Sequence, residues 1–236
     1  MTLPRPLDLV PPLFDGLAVT LELTIGGVAV ALVAGLAAGL GRSLRTVAWL
    51  GRPAALLGVG RNLGYASATA YVELFRGTSA LVQLFWFYFA LPRLGLSLSA
   101  LTAGILVLGL NTGAYGAEVV RGAIQAVPDG QRLAARALGL SERQILGRIV
   151  LPQAAVRMVP PAGNLLIELL KNTALASTIA LSELTFRAQA LRSETLRTVD
   201  IFFVTLVIYF LVAQVIAFGM GRVERRLATV RDAGAG

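Results

Sequence analysis

The chain has 236 residues, 56% of them hydrophobic, with a formal net charge of +8 and a mean hydropathy of +0.74. That is far from a water-soluble globular composition and suits one compact membrane domain. The absence of Cys and His excludes disulfides, thiolate chemistry, Ser-His and Cys-His triads and the usual zinc sites, so no metal and no cofactor is expected.

In chain order, residues 1–15 hold one Arg and four Pro and show no small-residue cleavage pattern. They read as a mature extracytoplasmic segment and not as a signal peptide. A helix crossing the hydrocarbon takes about 20 apolar residues. Gly16–Leu40 is the first such run. Its Gly35-Leu-Ala-Ala-Gly39 is either a small-residue face for close helix approach or a pair of glycines that lipid tolerates. Val47 to Phe75 mixes Ala, Leu and Gly with Arg52, Arg61 and Glu73, the composition of a short interfacial helix. Ser79–Leu91, ending at Pro92, is the second span, short enough that it must start earlier or tilt. Leu101 to Val120 is the third. Ala154 to Leu181 is the fourth, interrupted by Pro160-Pro161, and Ile201 to Met220 is the fifth. The tail after Arg226 is rich in Ala and Gly and is expected to fray.

Arginine placement orients these spans. Fifteen arginines fall between spans one and two, between three and four, or after five, against five on the opposite side. The excess belongs in the cytoplasm. The expected fold is all-α and polytopic, with five transmembrane helices, the N-terminus outside and the C-terminus cytoplasmic. The membrane domain is residues 16–222, followed by a cytoplasmic tail, 223–236.

Between spans three and four lies a soluble stretch, 128–153, carrying Arg132, Arg136, Arg143 and Arg148. Asp129 is placed to cap a helix running to Leu138, and Gly139 to supply the left-handed residue that ends it. Ser141 with Gln144 has capping-box spacing for a second helix, ending at Leu151-Pro152. Two short helices meeting at a glycine make a knob. Three readings stand beside one another: a DNA-binding helix-turn-helix, a solvated loop, and a docking element for a soluble partner. Tethering to the bilayer at both ends argues against the first, because such a knob does not easily enter a major groove.

Glu168 and Lys171, at i, i+3 in the fourth span, share one helix face and can pair. A lone charge at mid-bilayer costs about 2.5–3.5 kcal/mol on insertion scales. The two either neutralise each other structurally or line a polar path, with Asn111 and Asn172 as further path candidates. Glu73 with Arg76 and Glu118 with Arg121 have the same spacing at span ends and read as structural pins or as gating residues. Trp49 and Trp86 read as interfacial or packing groups.

The knob's Leu133-Ala134-Ala135, then Gly139, then Ile149-Val150-Leu151-Pro152 resembles the cytoplasmic loop of the membrane subunits of binding-protein-dependent ABC importers, specifically polar amino acid permeases. The family places Glu where this chain has Leu133. The likeness extends over nearly the whole chain: Tyr71-Val-Glu-Leu-Phe-Arg-Gly-Thr78, Ala114-Tyr-Gly-Ala-Glu-Val-Val-Arg-Gly122 and Glu168-Leu-Leu-Lys-Asn-Thr-Ala174 with Glu183-Leu184 stand in family order and spacing. Phe75 to Arg93 and Pro160 to Thr178 look closest to ectoine/hydroxyectoine permeases. The resemblance implies a type I importer permease fold. It also implies ABC ATPase subunits docked on 128–153, a second permease copy or paralogue, an extracytoplasmic solute-binding protein and a small polar solute as cargo. No nucleic acid is implied.

Energy must come from elsewhere. A phosphate-binding loop needs Gly-x4-Gly-Lys-Ser/Thr, and the sole lysine, Lys171, follows Leu170 in an apolar run. The chain is therefore expected not to be an enzyme. Two rivals use no ATPase: an ion-gradient transporter, which usually has more spans and an inverted repeat, and a membrane scaffold. A membrane enzyme would need paired carboxylates or Ser-Lys chemistry, and Ser177 lies six residues from Lys171, off its helix face.

Overall fold

The computed structural model describes residues 10–48 and 58–233. Trp49 and Arg52, with the part of the N-terminal segment before Val10, lie outside the described residues. All regular secondary structure described is helical. α1 runs Val10–Ala48, α2 Gly58–Gly77, α3 Ala80–Phe85 and α4 Ala100–Gln125. The knob holds α5, Asp129–Ala137, and α6, Glu142–Ile145; α7 is Leu151–Asn172, α8 Leu184–Thr195 and α9 Thr198–Ala233.

Among the described residues, three stretches are long and apolar enough to cross a membrane: Pro11–Ser43, Ala100–Gln125 and Thr198–Leu227. Two bent pairs bring the number to five if each is one span: Leu63–Gly77 with Ala80–Leu94, bent by 105°, and Glu142–Ile179 with Leu184–Thr195, bent by 52°. These are the five expected regions with shifted ends. α1 begins inside the expected N-terminal segment because Pro11 and Pro12 stand in its first turn, where no amide hydrogen is needed. The expected interfacial helix is α2, which forms the first arm of the 105° pair. α9 continues to Ala233, through the stretch expected to fray.

Proline behaves differently from the sequence expectation at three places, and two share one cause. Neither Pro92 nor Pro152 ends its helix. Each is preceded by a five-residue π turn, Trp86–Ala90 before Leu91-Pro92 and Leu146–Val150 before Leu151-Pro152. The closing bonds run from the Leu91 amide to Trp86 O and from the Leu151 amide to Leu146 O. In an α-helix a proline ring clashes with the carbonyl four residues back. The wider π turn moves that carbonyl aside, and the chain passes through. Pro160 and Pro161 lie inside α7 without interrupting it, as membrane helices tolerate. The bend comes later, after a 3-10 turn over Thr173–Ile179, where Ala180 adopts φ +58° and the Leu181 amide returns to Ala176 O.

The described chain forms two compact units. The first comprises Met1–Val30, Thr78–Thr112 and Leu166–Ala217; the second comprises Ala31–Gly77, Gly113–Leu165 and Phe218–Gly236. In the first, α1 and α4 alternate large and small residues: Leu23 fills the space over Gly104, and Ile105 that over Gly26. In the second, the small-residue face is a true contact. A Cβ on Gly39 would sit 2.6 Å from Val120 Cβ, and one on Gly35 3.0 Å from the Gly113 carbonyl oxygen. These glycines are required by close helix approach, which settles the choice left open by sequence. Ile25, Leu32, Val33 and Leu36 of α1 and Phe203, Leu206, Phe210, Leu211 and Val215 of α9 stay exposed. An exposed apolar surface of that extent suits lipid, not water.

Candidate functional site

The knob lies wholly in the second unit, and local chemistry explains its shape. Pro128 holds the N-cap position with φ −57°, ψ 135°, and its carbonyl accepts from the Gln131 amide. Asp129 is therefore the first helical residue and not the cap expected from sequence. Its carboxylate still lies in the first turn, where the helix dipole favours it, 3.7 Å from the Arg132 guanidinium. α5 ends in a Schellman motif at Gly139, φ +78°. The Leu140 amide donates to Ala135 O at 3.1 Å and the Gly139 amide to Arg136 O at 2.9 Å. The expected capping box is present. The Ser141 amide donates to Gln144 Oε1 at 2.8 Å, and the Gln144 amide to Ser141 Oγ at 3.4 Å. Such a cap contributes about 1 kcal/mol. Arg136 bridges the turn to Glu142 at 2.7 Å, which raises its pKa above the ordinary value.

Beneath the knob is an apolar cluster of Val120, Ile124, Val127, Ala135, Ile145, Val150 and Ala154, with Ile149 and Leu151 packed against it. Arg132 is buried at 5% exposure beside this cluster. Its Nη2 donates to the Ile124 carbonyl at 2.6 Å, one of the last carbonyls of α4, which have no partner within their own helix. Arg157 of α7 donates to the Ala126 carbonyl just beyond that end. Gln153 of α7 bonds Gln131 of α5 at 2.5 Å. The knob is thus fastened to α4 and α7 by polar bonds around an apolar core. Arg132 is buried although it belongs to the soluble stretch, and its spacing in the sequence carries no signal for that burial.

The expected pins resolve unequally. Glu73 and Arg76 do not form an ion pair; Glu73 is exposed. Arg76 turns instead toward Glu118, 3.4 Å away, with its guanidinium 5.3 Å from the centre of the Tyr115 ring. Glu118 also holds Arg121 at 2.7 Å, as expected, and Arg42 at 2.5 Å, which was not. One carboxylate therefore gathers arginines from α1, α2 and α4. The i, i+3 rule failed for Glu73 because α4 offers Arg76 two contacts together, the half-buried Glu118 carboxylate and the face of the Tyr115 ring.

In the first unit, Glu168 and Lys171 are exposed and form no ion pair with each other, so the self-neutralising pair is not found. Asn172 is half-buried at the start of the 3-10 turn. Asn111 is buried and donates to Gln83 Oε1 at 3.2 Å, while Gln83 Nε2 donates to Thr78 Oγ1 at 2.7 Å. Trp86 is half exposed. A further polar group appears at Glu183, fully buried as the N-cap of α8. It accepts from the amides of Thr185 and Phe186 at 2.8 and 2.7 Å and from the Tyr209 hydroxyl at 3.1 Å. Glu is not among the usual N-cap residues, so local sequence carries no signal for this role.

Known proteins fit this geometry. Residues 50–229 match the family described as binding-protein-dependent transport system inner membrane component. The chain is similar to the probable amino-acid ABC transporter permease y4tF of Sinorhizobium fredii, with 50% identity over 160 residues, 65% of this chain and 67% of that one. It is also similar to the glutamine transport system permease GlnP of Escherichia coli, 34% identical over 220 residues and covering 92% of this chain and 94% of GlnP. Among solved structures, one of an amino acid ABC transporter with histidines superposes with a TM-score of 0.81 at 32% identity, covering 96% of this chain and all of that one. One of the inward-facing MetNI methionine ABC transporter, at 24% identity and TM-score 0.72, shares the fold. A multi-pass helical protein of the cell membrane that translocates and does not catalyse, the chain belongs to the inner-membrane components of binding-protein-dependent transport systems.

Proposed function

We propose that this chain is the permease subunit of an importer for a polar amino acid or amino-acid-like zwitterion. Separate ATPase subunits dock on the knob at 128–153, a second permease copy or paralogue completes the pathway, and an extracytoplasmic binding protein delivers the solute. The observation that carries the reading is the knob itself: a rigid, capped helix-Gly-helix fastened to two long helices in a chain that lacks a phosphate-binding lysine. Leu133, Ala134 and Gly139 are exposed on it, whereas Ala135, Ile149 and Leu151 hold it to its core. The reading is tested by purifying the tagged chain with its neighbours and reconstituting them in liposomes. Copurification of an ATPase and uptake that requires ATP are expected. Uptake driven by an ion gradient without ATP would move the chain to the secondary transporters.

The arginine count puts the knob in the cytoplasm and the N-terminus outside. Because the chain has no Cys, single cysteines report topology directly. Gly130→Cys, where an added Cβ meets nothing within 4 Å, is expected to be shielded from a membrane-impermeant maleimide in right-side-out vesicles. Ser97→Cys, also exposed, is expected to react. The reverse pattern contradicts the orientation.

For the solute, Glu168 and Lys171 are the proposed path residues, with Asn111 and Asn172 as further candidates. Two charges within one candidate span that form no ion pair among the described residues are costly against lipid, which favours a polar path as their place. A zwitterion would offer its carboxylate to Lys171 and its cationic end to an acid. Lys171→Met is expected to cut uptake at least tenfold while the complex still assembles; normal uptake removes Lys171 from the path. GlnP is named for glutamine; the likeness of Phe75 to Arg93 and Pro160 to Thr178 to ectoine permeases favours ectoine and hydroxyectoine. Calorimetry of the cognate binding protein against ectoine, hydroxyectoine and polar amino acids separates them.

A further inference from the structure

The outward side of α5 has the reverse of a water-facing polarity. At 3.6 residues per turn, Leu133, Ala134, Ala137 and Leu138 fall within roughly 140° of arc. All four are exposed, Leu133 at 59% and Leu138 at 80%. The inward side carries the buried Arg132 and Ala135. No charge interrupts the outward arc, and Gly130 adds another apolar position within it. A soluble helix normally turns its arginine out and its leucines in; here Arg132 is held inward by the end of α4, and the leucines are left outside.

The charges of the knob that are left without an ion pair among the described residues have one sign. From Asp129 to Val150 the charged residues are Asp129, Arg132, Arg136, Glu142, Arg143 and Arg148. Asp129 faces Arg132, and Glu142 faces Arg136. Arg143 and Arg148 are exposed and form no ion pair among the described residues. The knob therefore carries an apolar ridge on α5 and, on the segment after Gly139, two exposed cations without an ion pair among the described residues.

We infer that the ATPase groove receiving this knob has an apolar floor for Leu133 and Leu138 and acidic groups along the rim facing Arg143 and Arg148. Position 133 then selects the partner: a groove lined there by a cation would leave that cation desolvated against leucine, without a counter-charge. The inference rests on the docking reading above and adds the chemistry of the partner surface to it.

The ATPase chain that copurifies with the tagged protein, identified by its Gly-x4-Gly-Lys-Ser/Thr motif, is re-expressed and titrated onto nanodisc-held permease. The forms compared are the unaltered chain, Leu133→Met, Leu133→Glu and the pair Arg143→Glu with Arg148→Glu. The unaltered chain and Leu133→Met are expected to bind alike. Leu133→Glu is expected to bind at least tenfold more weakly, and the arginine pair more weakly with a flatter salt dependence. Position 133 is exposed, so Glu there does not disturb folding, and an unchanged melting temperature checks this. Equal or tighter binding by Leu133→Glu overturns the inference while leaving the docking reading intact. An unaltered chain that holds no ATPase removes both. If the differences among the variants vanish when anionic nanodisc lipid is replaced by neutral lipid, the ridge belongs to the bilayer surface and the inference fails.

Discussion

Glu118→Gln is expected to be among the most destabilising single changes in the second unit. The carboxylate faces Arg42, Arg121 and Arg76 at 2.5, 2.7 and 3.4 Å. The Glu118 side chain is 18% exposed and that of Arg42 11%. Gln keeps the shape and one acceptor but removes the only negative charge among three guanidinium groups. The attraction is lost, and the arginines repel one another where water screens them poorly. Breaking a buried pair by removing one partner costs about 3–5 kcal/mol, and the residual solvent access here favours the lower end, about 3 kcal/mol. For a chain of this size that lowers the melting temperature by roughly 6–12 °C. The measurement is thermal unfolding in detergent, with Glu73→Gln as the internal comparison. Glu73 is exposed and outside the cluster, so its replacement is expected to change little. Adding Arg42→Met to Glu118→Gln relieves part of the repulsion, and the double variant is expected to lose less than the sum of the single losses. Equal losses at 73 and 118 would refute the three-arginine account.

The second large effect is expected in coupling and not in stability. Arg132→Met retains an unbranched side chain of similar length and removes the bond to the Ile124 carbonyl. Hydrogen bonds from charged donors contribute about 1.5–3 kcal/mol, equivalent to a roughly ten- to hundredfold shift in how often the knob is held to α4. The apolar cluster under the knob remains, so the protein is expected to fold and bind its ATPase. Under the proposed function, ATP hydrolysis then continues while uptake falls at least tenfold, because motion of the knob no longer reaches α4. Solute transported per ATP hydrolysed is the decisive quantity. A residue with only a structural role would lower uptake and hydrolysis together, and that proportional fall rules out a positioning role for Arg132. Arg132→Lys retains a charged donor and is expected to restore part of the ratio.

The two variants also show where sequence reasoning stopped. Glu118 with Arg121 was legible because i, i+3 neighbours on a helix meet whatever surrounds them. Glu73 with Arg76 had the same spacing and did not form, since Arg76 turns to Glu118 and the Tyr115 ring on α4. Arg42 lies 76 positions from Glu118, and no local rule connects them. The Gly139 turn and the Ser141 capping box were readable because both are closed by bonds within a few residues. Asp129 falls one position inside the helix and not at its cap, because Pro128 supplies the cap carbonyl itself.

What the sequence determined by itself is what short range and composition decide. Five apolar regions, a capped helix-Gly-helix between the third and fourth, and the lack of a phosphate-binding lysine all follow from nearest neighbours along the chain. Tertiary structure alone decided the small-residue contact of Gly35 and Gly39, the convergence of three arginines on Glu118, the inward turn of Arg132 and the buried N-cap at Glu183. The physical reason is that a backbone bond closes within one turn and is set by residue type. A buried charge instead takes whichever partner the packed helices bring within reach, and a side chain's face is fixed only when its neighbours are in place.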